Sequence, residues 1–385
     1  MTRPTYSRVS WVLDHEYSAA IGLATGVTVA LLWSALSSST YFSIVASKSS
    51  ARVLTYFGVS SLHDIVLSAL MAVFFFSMGL ELSRELSSGL LAKPKSTVPP
   101  VFGAIGGMLF TALGSVALGA ILNSHALRRG WGVPMATDVA FTLGVLAIAG
   151  RRLAPTLRIF LLTLAITDDV LSVIVLSVTG TTHVRPLGLA AIVAAVVLGL
   201  VVTRRHTSNV VSVVLLIVMW LCFAWANVEP ALAGVLAGVI VSTRAPKRAS
   251  LERNTVRLSV GFVLPLFALV ACGLHWSNIE FSGAVGTVVI ATIAIRLIGK
   301  MLGITSGVAL ARVLRFRLDP SLTWPLIATT AMLCAIGFTV PLLFATKLFG
   351  AQSSLYTGYT LGLLLSSAIA ALLGGALLRL QGRAE

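Results

Sequence analysis

Charge is what this sequence has least of. Asp, Glu, Lys and Arg make up 11% of its 385 residues, while 57% are hydrophobic and the mean hydropathy is +0.96. An ordinary soluble domain carries about 25% charged residues. Too little polar side chain remains to cover a water-facing surface, which excludes most soluble-enzyme and nucleic-acid functions. Cysteine is scarce as well. Cys222, Cys272 and Cys334 all lie inside apolar runs, so neither a disulfide framework nor a CxxC metal site is available. Acidic residues number 13 against 28 Lys and Arg, a net charge of +15. That balance would suit a phosphate-seeking protein, but the cations sit in short clusters between long apolar runs, as in a membrane protein. No linker or low-complexity tract is long enough to stand alone. The largest loop, about 37–61, is rich in Ser and Thr. Residues 1–385 are therefore expected to form a single integral membrane domain.

A membrane-crossing helix needs about 20 mostly apolar residues. Twelve runs approach this, at about 19–36, 62–83, 98–122, 131–149, 156–179, 186–203, 209–226, 230–243, 256–276, 283–305, 323–347 and 357–379. The eighth is short and the fourth is interrupted. The first is not expected to be a signal peptide, because Asp14 and Glu16 precede it and no A-x-A site follows. An even number of spans puts both termini on one side. Twenty Lys and Arg then fall on that side and six on the other: Lys48, Arg52, Arg128, Arg129, Arg185 and Lys347. The positive-inside rule makes the terminal side cytoplasmic. Pairs such as Gly22/Gly26 and Gly234/Gly238 suit close helix packing.

Three acidic residues lie where lipid-facing helices do not tolerate them. Asp138 sits inside the fourth run, in GVPMATDVAFTLG, and Asp168 and Asp169 sit mid-way along the fifth, in FLLTLAITDDVLSVIVL. An ionised Asp at a helix centre costs about 2.5–3.5 kcal/mol on insertion scales, so such groups face water, a cation or a proton, or form a buried ion pair. Neighbouring helix residues point about 100° apart, so Asp168 and Asp169 are expected to play different parts. Carboxylate oxygens are hard ligands for small cations and also carry protons. One pair can hold either, which is the minimal device for exchanging one for the other. Lys300, in IRLIGKMLGIT, is the natural partner for one aspartate, the alternative being a lysine that snorkels to the cytoplasmic surface. Arg296 lies one turn earlier, and the sequence assigns it no partner.

Two runs carry helix breakers at comparable places. Gly132 and Pro134 precede Ala136-Thr137-Asp138 in the fourth, and Gly337-Phe338-Thr339-Val340-Pro341 interrupts the eleventh. The simpler reading is a kink in each. Interrupted segments in both halves of a chain, however, are the best sequence pointer to a transporter site, because freed backbone groups must find ions, water or side chains. If the two segments cross, like ends of their dipoles meet, and Asp138 and Lys300 are candidates to compensate them.

These residues resemble a known family. PMATDVAFTLGVLAIAGRRLAPTLRIFLLTLAITDDV is similar to the core of the NhaA-type sodium/proton antiporters. FFFSMGLELSREL, ALAGVLAGVIV, VLPLFAL, IGKMLGI and AMLCAIGFTVPLLFA follow in the same order. The resemblance implies an all-α polytopic membrane protein of about 12 transmembrane helices, with inverted-topology repeats and two crossed, interrupted helices. It implies that Asp169 is the essential ion-binding carboxylate and Asp168 a second one, paired with Lys300. Thr137, Asp138, Gly337, Phe338 and Thr339 would lie at the crossing, and Glu81, Arg84, Glu85 and Glu252 in a cytoplasmic cluster tied to pH activation. Its transported ions would be Na⁺ or Li⁺ against H⁺, in a bacterial plasma membrane. No cofactor, enzymatic activity or nucleic acid is implied, and a homodimer is left open.

The chain departs from the family pattern at Ser83, where a basic residue is usual, at Ser68, where an acidic one is, and at Glu229, where a histidine is. The 37–61 region does not match the hairpin through which family members dimerise. Two functions outside the antiporters remain to be weighed. A sodium-coupled symporter of an organic anion would need a polar pocket for that anion, whereas the intramembrane polar cluster here is acidic. An intramembrane aspartyl protease would be expected to carry a GxGD-type signature, which is absent.

Overall fold

The computed structural model describes residues 5–47, 61–87, 94–150, 155–179, 184–205, 208–242, 248–279 and 283–384. Arg3, Lys48, Arg52, Lys93, Arg151, Arg152, Arg244 and Lys247, counted above for orientation, lie outside these residues, as do positions 48–60 of the large loop.

Among the described residues every regular element is helical. The chain runs through α1 (Thr5–Leu36), α2 (Ser38–Val45), α3 (Leu62–Ser87), α4 (Pro94–Ile121), α5 (His125–Arg129), α6 (Val139–Ala149) and α7 (Pro155–Thr179). It continues through α8 (Pro186–Arg205), α9 (Asn209–Ala226) and α10 (Pro230–Ser242). Next comes α11, in which Arg248–Leu258 passes through a π-turn, Ser259–Val263, into Leu264–Ala271. The last four are α12 (Gly283–Val313), α13 (Trp324–Leu333), α14 (Thr339–Phe349) and α15 (Ser354–Ala384). Four helices open on proline (Pro94, Pro155, Pro186 and Pro230), where the missing N–H costs no intrahelical bond. Asn227 ends α9 in the left-handed conformation, φ 61°.

Nine described helices are long and apolar enough to cross a membrane, and each overlaps one of the expected runs, although the run at 256–276 outlasts its helix, which ends at Ala271. The other three runs differ for physical reasons. The eighth becomes α10, 13 residues long, about 20 Å at 1.5 Å per residue and short of the hydrocarbon thickness. The eleventh divides into α13 and α14. The fourth has only its second half helical, as α6, with turns over 130–135 and irregular backbone over 136–138, extended at Asp138.

The described chain forms two compact units. One comprises residues 1–24, 93–172 and 274–385, and the other residues 25–92 and 173–273. In the first, α4 lies along α12 with backbones in contact. A Cβ on Gly106 would strike the carbonyl of Gly303, and one on Gly307 the carbonyl of Phe102. Only glycine allows so close an approach. α12 carries a π-turn over Ile295–Gly299, immediately before Lys300.

In the second unit α3 and α10 approach in the same way. Gly234 and Gly238 meet the carbonyls of Ala72 and Phe76, and Gly79 that of Val235, as the small-residue spacing predicted. Phe76, Leu80, Leu215, Met219, Phe223 and Ile240 form the core behind them. Gly26 packs on the Pro265 carbonyl of α11. Tyr41 of α2 donates to the Leu269 carbonyl at 2.7 Å and accepts from the Gly273 N–H at 3.2 Å, so part of the expected Ser/Thr loop is a docked helix.

Candidate functional site

The two interrupted segments cross in the first unit. The Asp138 N–H donates to the Ile336 carbonyl at 2.8 Å, and the Thr137 hydroxyl to the Cys334 carbonyl at 2.8 Å. Phe141 and Phe338 meet edge to face, 5.5 Å between centroids. The Gly337 N–H is satisfied by the Ser367 hydroxyl of α15 at 3.1 Å. A Cβ on Gly337 would overlap both the Arg296 guanidinium and the Ala136 carbonyl, so glycine is required where the chains touch.

Both helical N-termini of this crossing, those of α6 and α14, start from it. Asp138 caps α6: its Oδ1 accepts from the Phe141 N–H at 3.2 Å, and a carboxylate there also opposes the positive dipole end. Its Oδ2 is buried and makes no hydrogen bond among the described residues. The Thr339 hydroxyl and amide, at the start of α14, belong to its electrostatic surroundings.

Asp168 and Lys300 meet beside the crossing. The ammonium donates to both carboxylate oxygens, at 2.9 and 3.1 Å, and neither residue is exposed (0% each). The Thr137 N–H donates to Asp168 Oδ2 at 2.6 Å, which ties the pair to the irregular segment. Snorkelling is thereby excluded for Lys300. Asp169 follows on α7, also buried, its side chain turned about 100° away. Among the described residues no group of three or more His, Cys, Asp or Glu is placed to hold a metal ion.

The positive end of the arrangement differs from expectation. Lys300 is engaged by Asp168, and Arg296 supplies the cation for the carbonyl-rich ends. Its Nε donates to Ala335, Nη1 to Pro134 and Nη2 to Ala136, at 3.0, 3.1 and 3.0 Å, with the residue 0% exposed. A guanidinium presents five N–H groups in a planar fork and can reach three carbonyls at once, which an ammonium on this helix, already paired, cannot. Sequence reasoning found Arg296 without its partners, because they are main-chain atoms of irregular segments. It missed Ser367 and also Ser172, which stands one turn beyond Asp168 with a buried hydroxyl lacking a partner among the described residues. The i, i+4 spacing from Asp168 was the available signal.

The second unit brings the other expected cluster together. Arg84 pairs with Glu252, and its Nη2 lies 3.2 Å from Glu85 Oε1 and 3.6 Å from Glu81 Oε1. Ser83 is buried beside it, and Ser68 accepts from the Trp220 indole N–H at 3.0 Å. Glu229 is buried at the start of α10.

Comparison with known proteins shows the family. The family model described as Na⁺/H⁺ antiporter 1 matches residues 10–378. A Na⁺/H⁺ antiporter NhaA 1 of Kineococcus radiotolerans is 32% identical over 413 aligned positions, covering 99% of this chain and 93% of that protein. A Na⁺/H⁺ antiporter NhaA of Cronobacter sakazakii is 36% identical over 318, covering 81% of each chain. The Na⁺/H⁺ antiporter NhaA of Mycolicibacterium smegmatis is 33% identical over 388, covering 97% of this chain and 88% of its own. The chain belongs to the Na⁺/H⁺ antiporter 1 family.

Proposed function

We propose that this protein is a secondary active antiporter that carries Na⁺, or Li⁺, out of the cytoplasm in exchange for external protons. It is a Na⁺/H⁺ antiporter by family, a multi-pass protein of a bacterial membrane and a transporter in kind rather than an enzyme. The asymmetry of Lys and Arg between loops supports cytoplasmic termini. The full chain, with both compact units, acts as one transporter domain surrounded by lipid, and a homodimer is compatible with it.

The observation that carries the reading is the buried Asp168–Lys300 contact, adjacent to Asp169 and tied by Thr137 to crossed, interrupted helices. Thr137, Asp138, Gly337, Phe338 and Thr339 frame the site, and Asp168 and Asp169 hold either protons or the transported cation. When Na⁺ arrives from the cytoplasm it competes for the carboxylates, Lys300 releases Asp168, and protons leave from Asp169 and from the freed Lys300 ammonium. A shift of the core then exposes the cation to the outside, where protons displace it. If more protons than cations move per cycle, the membrane potential contributes about 2.3 kcal/mol per charge per 100 mV. Asp138 Oδ2 and Ser172 Oγ, both buried with no hydrogen bond among the described residues, offer further oxygens to a partly dehydrated cation. Glu81, Arg84, Glu85 and Glu252 form a charge cluster suited to pH control of this exchange.

PH-gradient dequenching in proteoliposomes tests the reading. Na⁺ and Li⁺ should each collapse an imposed proton gradient at alkaline pH, and K⁺ should not. Sodium flux without any proton counter-movement would instead favour the symporter.

A further inference from the structure

Arg296 heads the fully buried side chains by volume, yet among the described residues its hydrogen bonds go to main-chain carbonyls alone. Those carbonyls come from both interrupted segments: Pro134 and Ala136 from the first, Ala335 from the second. Unwound carbonyls of this kind are ordinary ligands for alkali cations in transporters. Here a covalently attached cation occupies them. The Ala136–Thr137 peptide is held at both of its polar atoms. Its C=O accepts from Arg296 Nη2 at 3.0 Å, and its N–H donates to Asp168 Oδ2 at 2.6 Å. A single rigid peptide plane therefore joins Arg296 to Asp168. At the contact between Nη2 and the Ala136 carbonyl, Gly337 leaves room that a Cβ would take.

We propose that Arg296 is a positioning residue of the ion site, orienting Asp168 for cation binding through the Ala136–Thr137 peptide plane. The inference rests on antiport at the aspartate pair. It adds a requirement for the planar fork as well as for a positive charge. Lysine keeps the charge and loses the fork, so it cannot hold three carbonyls in their present directions. Alanine at position 337 keeps the arginine and crowds its seat.

The test is the kinetics of Arg296→Lys and Gly337→Ala in proteoliposomes, with KM and kcat for Na⁺ and Li⁺ normalised to folded, monodisperse protein. The expected result for Arg296→Lys is a KM about tenfold higher for both ions, the weight of one charge-assisted hydrogen bond, with kcat changed much less. Gly337→Ala should show the same split with the charge intact. A part confined to folding would lower the yield of active protein and leave KM unmoved. Folded Arg296→Lys protein with wild-type KM overturns the proposal. If that variant does not fold, an unchanged KM in Gly337→Ala overturns it. Failure of both variants to fold assigns Arg296 to folding alone and overturns it too. Absence of antiport in the wild-type protein would instead sink the proposed function, a separate outcome read in the same assay.

Discussion

Lys300 Nζ stands 2.9 Å from Asp168 Oδ1, with both side chains closed to solvent. Two charges taken out of water hold each other at a price in desolvation, and the contact survives only while both are present. It is thus a latch that a competing cation can open.

Lys300→Ala leaves a buried carboxylate with one N–H donor, from Thr137. Removing one partner of a buried pair costs about 3–5 kcal/mol. Thermal unfolding in detergent should show a clear fall in melting temperature for this variant, and a melting curve like that of the wild type would mean the pair contributes nothing to the folded state.

Asp169→Asn should abolish cation-dependent proton flux while leaving the protein folded, because an amide cannot exchange a proton for Na⁺ at neutral pH. Wild-type dequenching in vesicles of this variant would remove Asp169 from the exchange and overturn the two-carboxylate site.

Arg84→Ala removes the guanidinium that Glu81, Glu85 and Glu252 share. Losing a positive charge shared by three carboxylates should move the pH of half-activation by about one unit. Sodium KM at the optimum should stay as it was. A profile that does not move would detach this cluster from pH control.

Gly79→Val tests the α3–α10 seam, where a branched side chain would collide with the Val235 carbonyl. Overpacking of a tight seam costs about 1–3 kcal/mol. Loss of folded yield is the expected outcome, and normal expression with an unchanged melting temperature would show that the helices can part there.

Much of this was legible in the residue pattern. Long apolar runs read as spans because lipid demands internally satisfied backbone over a set length. The aspartates and Lys300 stood out because charge inside such a run is rare, and TDD, GK and GFT carried the family. What was not legible had its cause in main-chain geometry. The first half of the fourth run is apolar enough to pass for a helix, yet Gly130, Gly132 and Pro134 leave it as turns. The partners of Arg296 are carbonyls, which no sequence pattern displays. The π-turn over Ile295–Gly299, which separates Arg296 from Lys300, leaves no mark in hydropathy either.

The glycine contact between α4 and α12 has a mechanical consequence. With Gly106 against the Gly303 carbonyl and Gly307 against that of Phe102, main chain meets main chain at these points, and Ile304 and Val308 fill the notches left by Gly107 and Gly103. Neither rod can slip by a fraction of a turn without atoms colliding. Whatever stroke carries Lys300 during turnover must haul α4 along with it as a single strut.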